Sequence, residues 1–271
     1  MSDEEERAAR LLDAQASAIA LFDEVAARGL VAAGQGEQAV SDQVRDLANE
    51  MFGKTRHWHK RIIRSGPHTL FPYRENPPDR IIEADDIAFA DFGPIFEEFE
   101  ADLGRTYVLG GDPAKHRLAA DLPVIFDAGR RYFADHPEIT GAQLYAEITR
   151  LADEAGWSFG NRHSGHLVGE FPHEEIDGED IESYIAAGND TPMRRHDKAG
   201  RVCHWILDPS HRSRPRVRRL LRAASRPGLD ACYFQWPRGS GPRLSTDLIA
   251  NVDRASVTEG IASSSSSSSR S

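Results

Sequence analysis

Long segments of helical periodicity alternate in this chain with short β-like runs that carry carboxylates and imidazoles, and this alternation most constrains its fold. Leu11, Leu12, Ala16, Ile19, Phe22, Val25 and Ala26 recur at helical spacing and stop at Gly29, which predicts an amphipathic helix. Ser41 is placed to cap a second helix bearing Val44, Leu47, Ala48 and Met51 and closed by Gly53. Asp112-Pro113 starts a third, with a kink expected at Pro123. Thr140 with Gln143 makes a capping box for a fourth, which bears Leu144, Ile148, Leu151 and Ala155 and ends at Gly156. Between them, Asp86 to Asp91 (DIAFAD), Gly104 to Leu109 (GRTYVL) and Val202 to Leu207 (VCHWIL) read as strands. The pattern predicts an α+β domain, with helices packed against a curved antiparallel sheet.

That pattern stops near Asp208. Residues 209–271 hold eleven Arg, no Lys and four acids, a net of +7, whereas residues 1–208 carry −17. Seven consecutive serines precede Arg270. Such a composition buries too little apolar area to offset its ordering entropy, so 1–208 is expected to be the folded domain and 209–271 a disordered Arg/Ser-rich tail. The overall charge of −10 argues against a nucleic-acid partner. No apolar run nears the roughly 20 residues needed to span a bilayer, so no membrane partner is expected. The N-terminus MSDEEERAAR is acidic where a secretory signal would be basic, which points to the cytoplasm. Cys203 and Cys232 lack paired spacing, so neither a disulfide framework nor a cysteine-based zinc site is expected, and a metal would need carboxylates and imidazoles.

Asp91 and Asp102 lie eleven residues apart, and a strand, a turn and a returning strand would set them side by side. Two converging carboxylates are costly to bury ionised unless a cation lies between them. Exposed turns are the alternative setting for each Asp taken alone. Downstream, GHLVGEFPHE places His166 and His173 seven residues apart. Upstream, RHWHK carries His57 and His59, read as a solvated or substrate-facing stretch, because alternate strand residues share a face but two further ligands are lacking.

Taken in order, Asp91-Phe92-Gly93, Asp102 followed by Arg105-Thr106, Gly165-His166-Leu167-Val168-Gly169 and His173-Glu174 resemble the pita-bread metallopeptidases, the family of aminopeptidase P, methionine aminopeptidase and creatinase. The resemblance spans roughly Ser41 to Asp208 and is nearest to short Xaa-Pro peptidases. It implies the pita-bread fold and two divalent metal ions, Mn, Co, Fe or Zn with Mn favoured. Asp91, Asp102, His166 and Asp208 would be metal ligands, with Asp208 standing in Trp205-Ile206-Leu207-Asp208-Pro209 where the family has a glutamate. His173 and Asp208 would be catalytic, and His68 and His173 would bind substrate. The family's substrate-facing His lies about seventeen residues before the first Asp, where His68 comes early and Tyr73 stands nearer. A metal-bound hydroxide would attack the scissile carbonyl, and Asp208 would shuttle the proton to the leaving amine. The implied partners are a peptide or small amide substrate and a second copy of the chain. Two other readings are a pita-bread scaffold without catalysis and a small-molecule amidinohydrolase of the same fold. The family's last bridging glutamate has no counterpart here, since Glu259 lies in the Ser-rich tail.

One lesion would account for both the short carboxylate and the missing glutamate: translation out of the ancestral frame from about Asp208. Arg218-Arg219-Leu220-Leu221-Arg222-Ala223 can be encoded as CGG CGG CTT CTA CGA GCA, which one nucleotide forward reads Gly-Gly-Phe-Tyr-Glu. Losing two adjacent bases from GAG ATC, which encodes Glu-Ile, leaves GAT C, the start of Asp-Pro as at Asp208-Pro209, with the same offset. A natural tail of relaxed composition is the other reading.

Overall fold

In the computed structural model, residues 3–171 and 180–208 are described throughout, together with the backbone of 211–213 and 220–221. The chain divides into two compact units, Met1–Trp236 and Pro237–Ser271, and all described residues lie in the first.

Two helices, α1 (Asp3–Ala27) and α2 (Glu37–Phe52), open the chain. They bury Leu11, Phe22 and Val25 of α1 and Val44, Leu47 and Ala48 of α2 as the periodicity foretold, together with Leu21 and Val40, whereas Leu12, Ala16, Ala26 and Met51 of the expected stripes are exposed. Helix α2 begins earlier than Ser41, which is buried within it. Its first turn is satisfied from a distance, because Gln38 N donates to Asp79 Oδ1 at 2.9 Å, so no local capping residue is needed. The strands β1 (Arg56–His57), β2 (Ile62–Ser65), β3 (Ile87–Phe92), β4 (Pro94–Phe96), β5 (Phe99–Glu100) and β6 (Leu103–Val108) follow. Then come α3 (Pro113–Asp135), α4 (Gly141–Glu154), β7 (Trp157–Phe159), β8 (His163–Val168), β9 (Tyr184–Ala186), β10 (His204–Leu207), β11 (His211–Ser213) and β12 (Leu220–Leu221).

The caps read from the sequence at α3 and α4 are in place. Asp112 accepts from Ala114 N and Lys115 N, and Thr140 and Gln143 close a reciprocal capping box. Helix α3 runs on through the buried Pro123.

The strands form antiparallel ladders, including the three-stranded orders β2-β3-β6 and β10-β8-β9. Helices α1 and α2 pack on the first through Phe22, Val44, Ala90, Phe92 and Leu103. Helices α3 and α4 pack on the second through Phe126, Ile148, Leu167, Trp205 and Leu207. Full burial of each large apolar side chain contributes about 1.5–3 kcal/mol. Ile87, Leu118, Ile125 and Trp157 form a further cluster joining β3 to α3. Beyond residue 208 the described backbone is β11, which pairs with β7, and β12, which pairs with β11. The rest of the expected Arg/Ser-rich tail lies outside the described residues. No described helix is long and apolar enough to cross a membrane.

Candidate metal centre

Asp91 sits near the end of β3, paired with Gly104 of β6, and Asp102 immediately precedes β6. The interval between them is not a plain turn, because β4 and β5 form a small hairpin within it, pairing Ile95 with Glu100 and Phe96 with Phe99. The returning chain still brings the two carboxylates to one place, with only 13% and 14% of the side chains exposed.

His166 reaches the same place from the other sheet, in the middle of β8 opposite Ile206 of β10. Its Nε2 lies 3.1 Å from Asp102 Oδ2. Its Nδ1 lies 2.7 Å from Leu167 O, and a carbonyl can only accept, so Nδ1 carries the hydrogen. In the neutral ring Nε2 is then a bare lone pair facing a carboxylate oxygen, and the two close only with a cation between them, a proton or a metal ion.

His59, expected to be solvated or substrate-facing, is a second such imidazole. Its side chain is 7% exposed, and its Nε2 lies 3.5 Å from Asp102 Oδ1 and 3.8 Å from Asp91 Oδ1. Its Nδ1 donates to Lys60 O at 2.8 Å, which fixes the same tautomer as in His166. The expectation failed because β1 ends at His57, so simple strand alternation does not carry on to His59. Trp58 stands edge-on to both rings, at 4.4 Å from His59 and 5.5 Å from His166, and its Nε1 donates to Ala101 O at 2.9 Å. His57 instead packs against Phe92, and its pKa is lowered to about 4 by burial and then by the charges of Arg61 and His59.

Around Asp102 the carboxylates favour protonation of both imidazoles. Burial lowers the affinity of the His59 ring for a proton, but the hydrogen bond to Asp102 and the charges of Asp102 and Asp91 outweigh it, and the pKa rises to about 9. His166 is raised by the same balance of burial against Asp102. Burial would raise Asp102, yet the hydrogen bonds from His166 and His59 hold it well below the usual carboxylate range. The donor set of one imidazole and two carboxylates at His59, Asp91 and Asp102, with ligand atoms all within 4.8 Å of one another, suits a hard or borderline divalent ion.

The remaining expected residues are dispersed. His68 faces Glu37, with Nδ1 2.8 Å from Oε2, beside the first turn of α2. Tyr73 is 41% exposed, and its ring centroid lies 6.2 Å from that of His59. Asp208 follows β10, where its N donates to Ser164 O at 2.7 Å. By strand alternation it lies on the side of Ile206, the residue paired with His166. His173 falls outside the described residues.

The chain matches the family model described as Metallopeptidase family M24 over residues 9–202. It is 29% identical to the Xaa-Pro dipeptidase of Pyrococcus furiosus over 143 residues, covering 52% of this chain and 40% of that protein. The crystal structure of the dipeptidase PepE from Mycobacterium ulcerans superposes with a TM-score of 0.60 at 27% identity, covering 79% of this chain and 54% of that one. A methionine aminopeptidase structure from Thermotoga maritima covers 78% of this chain and 80% of its own, at 17% identity and a TM-score of 0.57. These neighbours share the pita-bread fold with the chain, as the motif resemblance implied. The chain spans about half the length, or less, of the dipeptidases it matches.

Proposed function

The chain belongs to metallopeptidase family M24, and from that premise we propose that it is an Xaa-Pro-type aminopeptidase, a metal-dependent hydrolase that removes N-terminal residues from peptides. The observation that carries the reading is Asp102, a carboxylate only 14% exposed with an imidazole Nε2 facing each of its oxygens. Asp91, Asp102, His166 and Asp208 are the proposed ligands. Divalent ions bound there, Mn²⁺ favoured, would supply Lewis acidity and an activated water.

In this reading the chain's own residues orient the substrate and move the proton. His173 steadies the scissile carbonyl, and a carboxylate oxygen of Asp208 passes a proton to the leaving amine. The working domain is residues 1–208, with β11 from beyond that boundary pairing onto β7 and β12 onto β11. Asp208 is one methylene shorter than a glutamate, and the sequence offers no later bridging carboxylate, so turnover is slow.

Incubating the purified chain with Mn²⁺ and an Xaa-Pro-Xaa tripeptide, and following the freed N-terminal amino acid by chromatography, tests this. Slow release that EDTA and Asp102→Ala both abolish is the expected result. Release indifferent to both would overturn the assignment. Metal binding without any release would favour the non-catalytic scaffold.

A further inference from the structure

We propose that His59 is a protein ligand to the divalent ion held by Asp91 and Asp102, a role that the motif resemblance does not give it. The proposal rests on reading the Asp91, Asp102 and His166 cluster as a metal centre. It adds a ligand from outside the matched motifs and assigns the two imidazoles to opposite sides of one carboxylate.

Donor geometry supports it first. Metal–ligand bonds of about 2.1 Å put neighbouring donors about 3.0 Å apart in an octahedron and about 3.4 Å apart in a tetrahedron. The His59 Nε2 separations of 3.5 and 3.8 Å to the two carboxylates therefore need a closure of about 0.1–0.4 Å for a tetrahedral ion and about 0.5–0.8 Å for an octahedral one. A ring that merely filled space would have no reason to direct its lone pair there.

The ring is also held in that orientation. Nδ1–H is engaged by Lys60 O, the kind of backbone partner that fixes the tautomer and direction of a metal-bound histidine. Trp58 meets it edge-on, and Gly93 leaves the room that both rings occupy. A Cβ at position 93 would stand 2.3 Å from His59 Cδ2 and 2.4 Å from Trp58 Nε1. The residue after Asp91-Phe92 is thus glycine for a local reason: the His59 and Trp58 rings lie against its backbone.

Asp102 decides which ion His59 would hold. His59 addresses Oδ1, and His166 addresses Oδ2. A carboxylate with one imidazole at each oxygen is arranged to bridge, so the two histidines belong to different ions. His59 shares its ion with Asp91, whose Oδ1 lies 3.8 Å from His59 Nε2.

Titrating the full chain with Co²⁺, by calorimetry and by visible absorption, separates the outcomes. His59→Gln should weaken binding at least tenfold and change the absorption of the bound Co²⁺, with the circular dichroism of the fold unchanged. Proton NMR of the unmodified Co²⁺ protein provides a readout that needs no variant. Hyperfine-shifted ring N–H resonances should come from both His59 and His166, and the His59 resonance should be absent in the variant. If the unmodified chain binds no Co²⁺, the metal-centre reading itself fails. Should it bind Co²⁺ and His59→Gln bind it with the same affinity, spectrum and shifted resonances, the role of His59 is overturned while that reading stands.

Discussion

Gly165→Ala tests whether the position of His166 is set by the close approach of β8 to β10. Gly165 has φ +142°, a region that residues with a Cβ rarely adopt. An added Cβ would lie 1.9 Å from Ile206 O and 2.9 Å from Ile206 C, both backbone atoms of the paired strand. Carbon and carbonyl oxygen ordinarily approach to about 3.3 Å, so the strands would have to part by about 1.4 Å. Backbone strain of about 1–3 kcal/mol adds to the loss of two or so ladder hydrogen bonds at about 1 kcal/mol each. The expected destabilisation is about 3–5 kcal/mol, a large share of the 5–15 kcal/mol typical of a domain. The displacement would also carry His166 out of reach of Asp102, now 3.1 Å away, and weaken metal binding. Gly129→Ala is the control, because its Cβ would meet Ile148 Cδ1 at 2.3 Å and Leu207 Cδ2 at 3.3 Å, both ends of side chains that can rotate. It should cost about 1–3 kcal/mol through overpacking and leave metal affinity unchanged. Urea midpoints read at constant slope, with Mn²⁺ titrations, give both numbers. A Gly165→Ala protein within about 1 kcal/mol of the parent, or a control that loses more stability than it does, would refute this account.

Thr140→Ala removes the hydroxyl half of the capping box of α4, the Oγ1 that accepts from Gln143 N, while the backbone N–H at 140 still donates to Gln143 Oε1; it should lower the stability read from urea unfolding by about 1 kcal/mol, with no change in metal affinity. Arg7→Met should cost about 1–3 kcal/mol, because Arg7 is buried against Glu4, Glu170 and Val202 O and ties α1 to the strand region. Burial opposes ionisation of Glu170, but the hydrogen bond and charge of Arg7 hold its pKa below the ordinary value. That contribution is present above the unfolded pKa of about 4.3 and lost as the pH falls through the folded one, so the gap between Arg7→Met and the parent should narrow in acid; a pH-independent gap in denaturation midpoints would contradict it. Sequencing the coding DNA should show an open frame, one nucleotide forward, with a Glu codon overlapping that of Arg222; an early stop there eliminates the frame change.

The parts of this molecule that could be read from its sequence are those whose physical cause is local. A capping box spans three residues, so Thr140 and Gln143 announce the start of α4. The pairing of β3 with β6 follows from two adjacent apolar runs, and it brings Asp91 and Asp102 together even though a second hairpin lies between them. Three other features depend on contacts between residues far apart in the sequence. The start of α2 is satisfied by Asp79, 41 residues beyond Gln38. His68, expected at the substrate, is held by Glu37, 31 residues earlier, whose other oxygen accepts from both N and Oγ of Ser65. His59 is turned inward by a local hydrogen bond to Lys60, but its neighbour Trp58 is anchored on Ala101, 43 residues on, and only that fold places the ring over Asp102. Spacing along the chain can therefore identify ligands that share a hairpin, whereas a ligand delivered from a separate segment is recognised by its surroundings. For His59 the one trace in the sequence is Gly93, which is legible only once the two rings lying against it are known.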